Sequence, residues 1–180
     1  MLVLRPADGP ETSVAWKLAM ENTETPTALI LSRQNIKDLP AASGDRFEEA
    51  LQAAKGAYVV IKDENPDVVL VANGSEVSTL AEAAPLLNEA GIKVQVVSAP
   101  SEGLFFNQSK EYQESVIPSN LPVFGLTAGL PSTLFPLVGS EGKVYGLDHF
   151  GYSAPYKVLD EKLGFTSDNI AREIIEFVEK

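Results

Sequence analysis

Residues 67–72 read Asp-Val-Val-Leu-Val-Ala and run straight into Asn73-Gly74-Ser75-Glu76-Val77. An apolar run without alternation has no face to give to water. Such a strand must be covered on both sides, as an inner strand of a parallel sheet is when helices pack on each face. Gly74-Ser75-Glu76 then turns the chain into a helical stripe over 77–90, which Gly91 stops and Pro85 interrupts, removing a backbone donor and predicting a kink. The same punctuation recurs. Strands are predicted at 58–62, 92–98, 123–127 and 143–147, and closing helices at 155–162 and 168–180. In the last helix Ile170, Ile174, Phe177 and Val178 form one stripe, with Thr166 or Ser167 as its cap. Strands alternating with helices predict an α/β fold, a doubly wound, mostly parallel sheet of about five strands.

A smaller unit precedes it. Residues 2–4 and 27–31 read as two strands around a helix at 11–21, whose stripe is Val14, Ala15, Leu18 and Ala19. Residues 27–31 are nearly all apolar and are expected to be buried on both faces. Two strands and one helix are too little core to stand alone, so this block reads as a partial β-α-β unit from a second domain. Residues 35–43 break periodicity, and a short helix at 47–55 ends at Gly56. The expected organisation is 1–36 as the trailing part of one domain, 37–56 as linker and 57–180 as a second domain.

The 180 residues carry 14 basic and 25 acidic side chains, for a net charge of −11. No basic patch offsets phosphate repulsion, so neither nucleic acid nor a membrane surface is an expected partner. No apolar stretch reaches the roughly 20 residues needed to span a bilayer, and Arg5-Pro6 directly after Leu2-Val3-Leu4 argues against a signal peptide. There is no cysteine, hence no disulfide and no thiolate chemistry, which fits a cytoplasmic protein.

Few residues look chemical. Arg33 stands at the carboxyl end of the second strand, where open α/β sheets gather ligands. Its guanidinium there can grip a phosphate or carboxylate with two parallel bonds, or can tie the strand end to a neighbouring carboxylate; both readings stand. Gly74-Ser75-Glu76-Val77 lacks the spaced glycines of a phosphate loop and reads as a plain strand-to-helix turn, with Ser75 as N-cap and Glu76 in the first turn. His149 is the only histidine, which excludes a two-histidine metal site; it reads as a solvated loop residue just past a strand. No Ser/His/Asp arrangement is recognisable.

Six stretches, in order, resemble the transketolase family. They are Arg5-Pro6-Ala7-Asp8-Gly9-Pro10-Glu11-Thr12 with Ala15-Trp16-Lys17; Ala28-Leu29-Ile30-Leu31-Ser32-Arg33-Gln34-Asn35; Gly56-Ala57-Tyr58-Val59; Asn73-Gly74-Ser75-Glu76-Val77; Val96-Val97-Ser98-Ala99-Pro100-Ser101 with Gln108, Tyr112 and Glu114-Ser115-Val116-Ile117-Pro118; and Phe150-Gly151-Tyr152-Ser153-Ala154-Pro155 with Phe165-Thr166 and Asn169-Ile170. Each alone is weak, but the ordered set spans essentially the whole chain. The resemblance implies the end of the thiamine-pyrimidine-binding domain followed by the C-terminal domain. It implies a transferase that moves a two-carbon ketol unit between sugar phosphates with thiamine diphosphate and Mg2+, the cofactor doing the carbanion chemistry. It makes Arg33 a contact to the substrate's phosphate.

The same resemblance implies what to expect elsewhere. The family's Gly-Asp-Gly motif for diphosphate and metal, its activating glutamate and its channel histidines precede Met1 in the family's order, and His149 matches none of them. No cofactor is expected to bind this chain alone, and no activity without the remaining N-terminal part of the enzyme, which forms a homodimer. Three positions depart from the family: Asn73 stands for a common threonine, Thr127 in Leu126-Thr127-Ala128-Gly129 stands for a glutamate, and residues 130–138 lack a tryptophan. The rival readings are a non-catalytic interaction or regulatory module of a thiamine enzyme, and the corresponding part of a deoxyxylulose-phosphate synthase or a keto-acid dehydrogenase β chain.

Overall fold

The computed structural model describes residues 1–179. The first block is β1 (Leu2–Leu4), α1 (Gly9–Glu21) and β2 (Thr27–Leu29), with β1 and β2 parallel in a two-stranded sheet. Asp8 caps α1: its Oδ1 accepts from Glu11 N–H at 2.9 Å, while Glu11 Oε2 accepts from Ala7 N–H at 2.8 Å. Together these two bonds start the helix two residues before the predicted 11–21. β2 departs from expectation. It stops at Leu29, its three residues are only half-buried, and Ile30 and Leu31 are exposed. The apolar run is there, but it packs chiefly on β1 and α1, and its last two residues are left open to solvent.

An extended segment then leads to α2 (Arg46–Ala50), a 3-10 turn over Leu51–Lys55 and Gly56, whose φ of 91° ends it. The larger unit follows as β3 (Tyr58–Lys62), β4 (Val68–Ala72), α3 (Glu76–Glu89), β5 (Val94–Ser98), α4 (Glu102–Phe106), α5 (Lys110–Val116), β6 (Val123–Leu126), α6 (Phe135–Val138), β7 (Lys143–Tyr145), α7 (Tyr156–Leu163) and α8 (Ser167–Val178). Five strands lie in the order β3-β5-β4-β6-β7, all parallel except β3, which runs antiparallel along one edge. α3 runs unbroken through Pro85.

The sheet is covered on both faces, as the unalternating strands require. Val68, Leu70 and Ala72 of β4 pack with Leu80 of α3 and Ile170 and Ile174 of α8. Val69 and Val71 pack on the other face with Phe105 of α4, Val116 of α5 and Leu137 of α6. The short helices α4, α5 and α6 are additions to the predicted elements. Their lengths of five, seven and four residues are too short to show a period in the sequence. Thr166 caps α8, its hydroxyl accepting from Asn169 N–H at 3.4 Å. Ser75 does not cap α3 with its side chain: its backbone is already helical (φ −57°, ψ −26°), and its hydroxyl donates to Glu76 Oε1 instead, at 2.7 Å.

Candidate functional site

Three polar centres join the two units. The first is buried. Arg46, at the start of α2, donates from Nε to Asp8 Oδ2 (2.7 Å) and from Nη2 to Glu11 Oε1 (3.2 Å) and Tyr58 Oη (2.7 Å). Tyr58 in turn donates to Glu11 Oε1 at 2.6 Å, and Asp8 Oδ2 also accepts from Leu39 N–H at 3.0 Å. The two cap residues of α1 thus hold α2, β3 and the extended segment to the first unit. Burial pushes the Glu11 carboxyl up, against the pull of the Tyr58 and Ala7 hydrogen bonds, and pushes the Tyr58 hydroxyl up as well, helped by the Glu11 charge. Nothing local in the sequence points to Arg46, whose partners lie 12 to 38 residues away.

The second centre lies between the carboxyl ends of β4 and β6, where the strand order reverses; doubly wound sheets bind ligands at this crevice. Here Arg5 of the first unit enters it. Its carbonyl accepts from Gly74 N–H at 3.0 Å, Nη1 donates to Thr127 Oγ1 at 3.3 Å, and Nη2 lies 3.6 Å from Glu76 Oε2. Burial raises the Glu76 carboxyl, opposed by the Ser75 hydroxyl and Arg5. The departure at Thr127 therefore leaves Arg5 a hydroxyl acceptor, with Glu76 supplying the carboxylate. Asn73, the other departure beside this crevice, is buried with its Oδ1 unpartnered among the described residues.

The third centre is the candidate ligand site. Arg33 is exposed, and no carboxylate among the described residues pairs with it. It lines a cleft of about 640 Å³ with Gln34 on one side and Tyr152, Ser153 and Tyr156 on the other. The guanidinium stands four residues past the end of β2 rather than at the strand end itself. His149 is exposed on the neighbouring loop; its Nδ1 lies 2.9 Å from the Phe150 carbonyl and its ring is tilted against Tyr152. No three His, Asp or Glu side chains converge among the described residues on a point where a metal ion could sit. The buried carboxylates Asp8 and Glu11 are already engaged by Arg46. These residues do not form a cradle for a metal-bound diphosphate. No helix among the described residues is long and apolar enough to cross a membrane.

Comparisons with known proteins agree with one another. A family model described as the transketolase-like TK C-terminal domain matches residues 56–166. A transketolase of Staphylococcus aureus strain MW2 is 45% identical over 177 residues, which is 97% of this chain and 26% of the relative. A mutant transketolase of Pichia stipitis, in complex with xylulose 5-phosphate, superimposes with a TM-score of 0.88 at 34% identity, over 99% of this chain and 25% of that one. A transketolase of Leishmania mexicana superimposes with a TM-score of 0.87 at 36% identity, again over 99% of this chain and 25% of its own. The chain spans about a quarter of the length of these relatives.

Proposed function

The chain belongs to the transketolase family, and on that premise we propose that it supplies the phosphate-facing wall of a ketol-transferring enzyme. The proposed reaction moves a two-carbon ketol unit between sugar phosphates. Thiamine diphosphate with Mg2+ would supply the carbanion chemistry. No residue of this chain is assigned to holding either, and no bond-making step is assigned to it. Its proposed part is recognition: Arg33 binds the substrate's phosphate through two parallel N–H···O bonds, the geometry in which a guanidinium outperforms an ammonium.

The observation that carries this reading is an exposed Arg33 with no ion-pair partner among the described residues, facing a cleft. An arginine serving only to hold the strand end would have a carboxylate beside it. The proposed partners are the remainder of a transketolase and, through it, a second copy of the whole enzyme in the cytoplasm. Exposed Val3, Trp16, Met20, Ile30 and Leu31 on the first unit supply the apolar surface such packing would cover.

In the assembled enzyme, Arg33→Ala should raise KM for phosphorylated sugars at least ~10-fold, the scale of one lost charge-assisted hydrogen bond. Affinity for thiamine diphosphate should not change. An unaltered KM for the phosphorylated sugar would overturn the role of Arg33.

A further inference from the structure

Backbone bonds at Arg5 pin the end of β1 to the larger unit: its amide donates to the Pro100 carbonyl at 2.8 Å, and its carbonyl accepts from the Gly74 amide. Beside that join a cleft of about 790 Å³ opens, with β1 and α1 on one side and α4 on the other. It is larger than the cleft at Arg33 and within the size range of small-molecule sites, which favour boundaries between units. Leu2, Leu18 and Leu104, each half-buried, give it an apolar wall.

Its polar wall is short of donors. Asn73 lines it, is 4% exposed, and has an Oδ1 with no hydrogen-bond partner among the described residues. Ser101 is equally buried, and its hydroxyl makes no cap bond to α4. Glu102 has no ion-pair partner among the described residues. Burial pushes its carboxyl up, and the pull that opposes this is the Arg5 charge. Arg5 is already engaged by Thr127 at Nη1 and by Glu76 at Nη2, which leaves Nε as its unmatched donor. Against that one donor stand a carboxylate, an amide oxygen and a hydroxyl, all able to accept. A second carboxylate, Glu21, also lines the cleft, so an anionic ligand would meet repulsion there. An ammonium fits instead: it carries three N–H donors, no acceptor and a positive charge. We propose that this cleft binds an amphipathic primary amine, whose ammonium donates to Glu102, Asn73 Oδ1 and Ser101 Oγ while its hydrocarbon body lies on Leu2, Leu18 and Leu104.

The probe is 1-hexylamine, titrated calorimetrically into the assembled enzyme with thiamine diphosphate bound, so that the cofactor's own site is filled. Saturable binding with a Kd of about 1 mM or tighter is expected, and no saturation by about 10 mM would overturn the proposal. Each methylene removed from the amine should weaken binding about fourfold if the leucines cover the chain. 1-Hexanol, which lacks the charge, and N,N,N-trimethylhexylammonium, which keeps the charge but has no N–H, should each bind at least about tenfold more weakly, the scale of one hydrogen bond to a charged group. Either one binding as well as the amine would sink the three-donor seat. Glu102→Gln should cost the amine a similar factor. A Glu102→Gln enzyme that keeps wild-type affinity places the amine elsewhere and refutes the site. The ligand series on the wild-type enzyme decides the matter should that variant fail to fold.

Discussion

Replacing Arg46 tests whether the buried centre joins the two units. Arg46 has a side chain only 7% exposed and faces two carboxylates, Asp8 and Glu11, that are 0% exposed. Arg46→Met keeps much of the apolar stem and removes the charge. Removing one partner of a buried pair costs about 3–5 kcal/mol, because the other charge stays desolvated. Here the lower end applies. Asp8 retains the Glu11 and Leu39 amides, and Glu11 retains the Ala7 amide and the Tyr58 hydroxyl. A loss of about 3 kcal/mol corresponds to a fall in Tm of about 6–12 °C for a chain of this size. Urea and thermal unfolding followed by circular dichroism measure it. Hydrogen exchange gives a sharper check: the Leu39 amide, bound to the same Asp8 oxygen as Arg46 Nε, should exchange faster in the variant, while amides in β4 should keep their order relative to one another. A stability loss below about 1 kcal/mol, the worth of an ordinary surface pair, would refute the view that this centre clamps the units.

Two further predictions concern single sites. Burial holds the Glu76 carboxyl above the ordinary glutamate value of 4.5, so the unfolded chain gives up this proton first as pH rises. Its contribution is therefore complete below about pH 4 and is lost as pH climbs through the raised folded value. Glu76→Gln should flatten the decline in urea-unfolding free energy above that point, and an unchanged slope would count against it. Gly56 has a φ of 91°, and an added Cβ would lie 2.2 Å from Phe105 N and 2.4 Å from Ser101 O, both backbone atoms. Gly56→Ala should cost about 3 kcal/mol or more from left-handed strain plus the clash; an equilibrium unfolding midpoint within error of the wild type would exclude it.

The features legible in the sequence are those that depend on neighbours in the chain. Val68–Ala72 reads as a doubly covered strand because five successive apolar residues leave no polar face for water, and it is fully buried. Thr166 is readable as a cap because a cap needs only the next three residues. Ser75 shows the limit of that logic: it sits where a cap belongs, but its own backbone has already turned helical and its hydroxyl serves Glu76. The six ordered motifs point to the family, and so decide between a transketolase and its thiamine-dependent rivals, although each motif is short. Long-range pairings are not legible. Arg46 meets Asp8, and Arg5 meets Thr127, across 38 and 122 residues, and only the folded chain brings such pairs together. Residues 27–31 mislead in the opposite direction. Their composition reports an environment apolar on both faces, yet Ile30 and Leu31 stand exposed here.

Arg5 explains why the candidate site lies away from the place where this fold class ordinarily holds ligands. The reversal between β4 and β6 leaves a crevice at their carboxyl ends, and an anion there would meet the Gly74 amide and the start of α3. That crevice already holds a cation from the first unit, tied to Thr127 and Glu76, and the Gly74 amide is spent on the Arg5 carbonyl. The larger sheet therefore uses its natural ligand position to bind its neighbour. Docking the first unit there also fixes where the residues after β2 emerge, and these include Arg33. The Arg33 guanidinium, unpaired among the described residues, then lines a cleft with the loop after β7, so the cleft forms at the boundary of the units and not within either one. Loosening Arg5 should on this reasoning disturb the phosphate recognition proposed for Arg33 without any direct contact between the two residues. Arg5→Ala in the assembled enzyme should therefore raise KM for the phosphorylated sugar, and an unchanged KM would show that the cleft is set by other contacts.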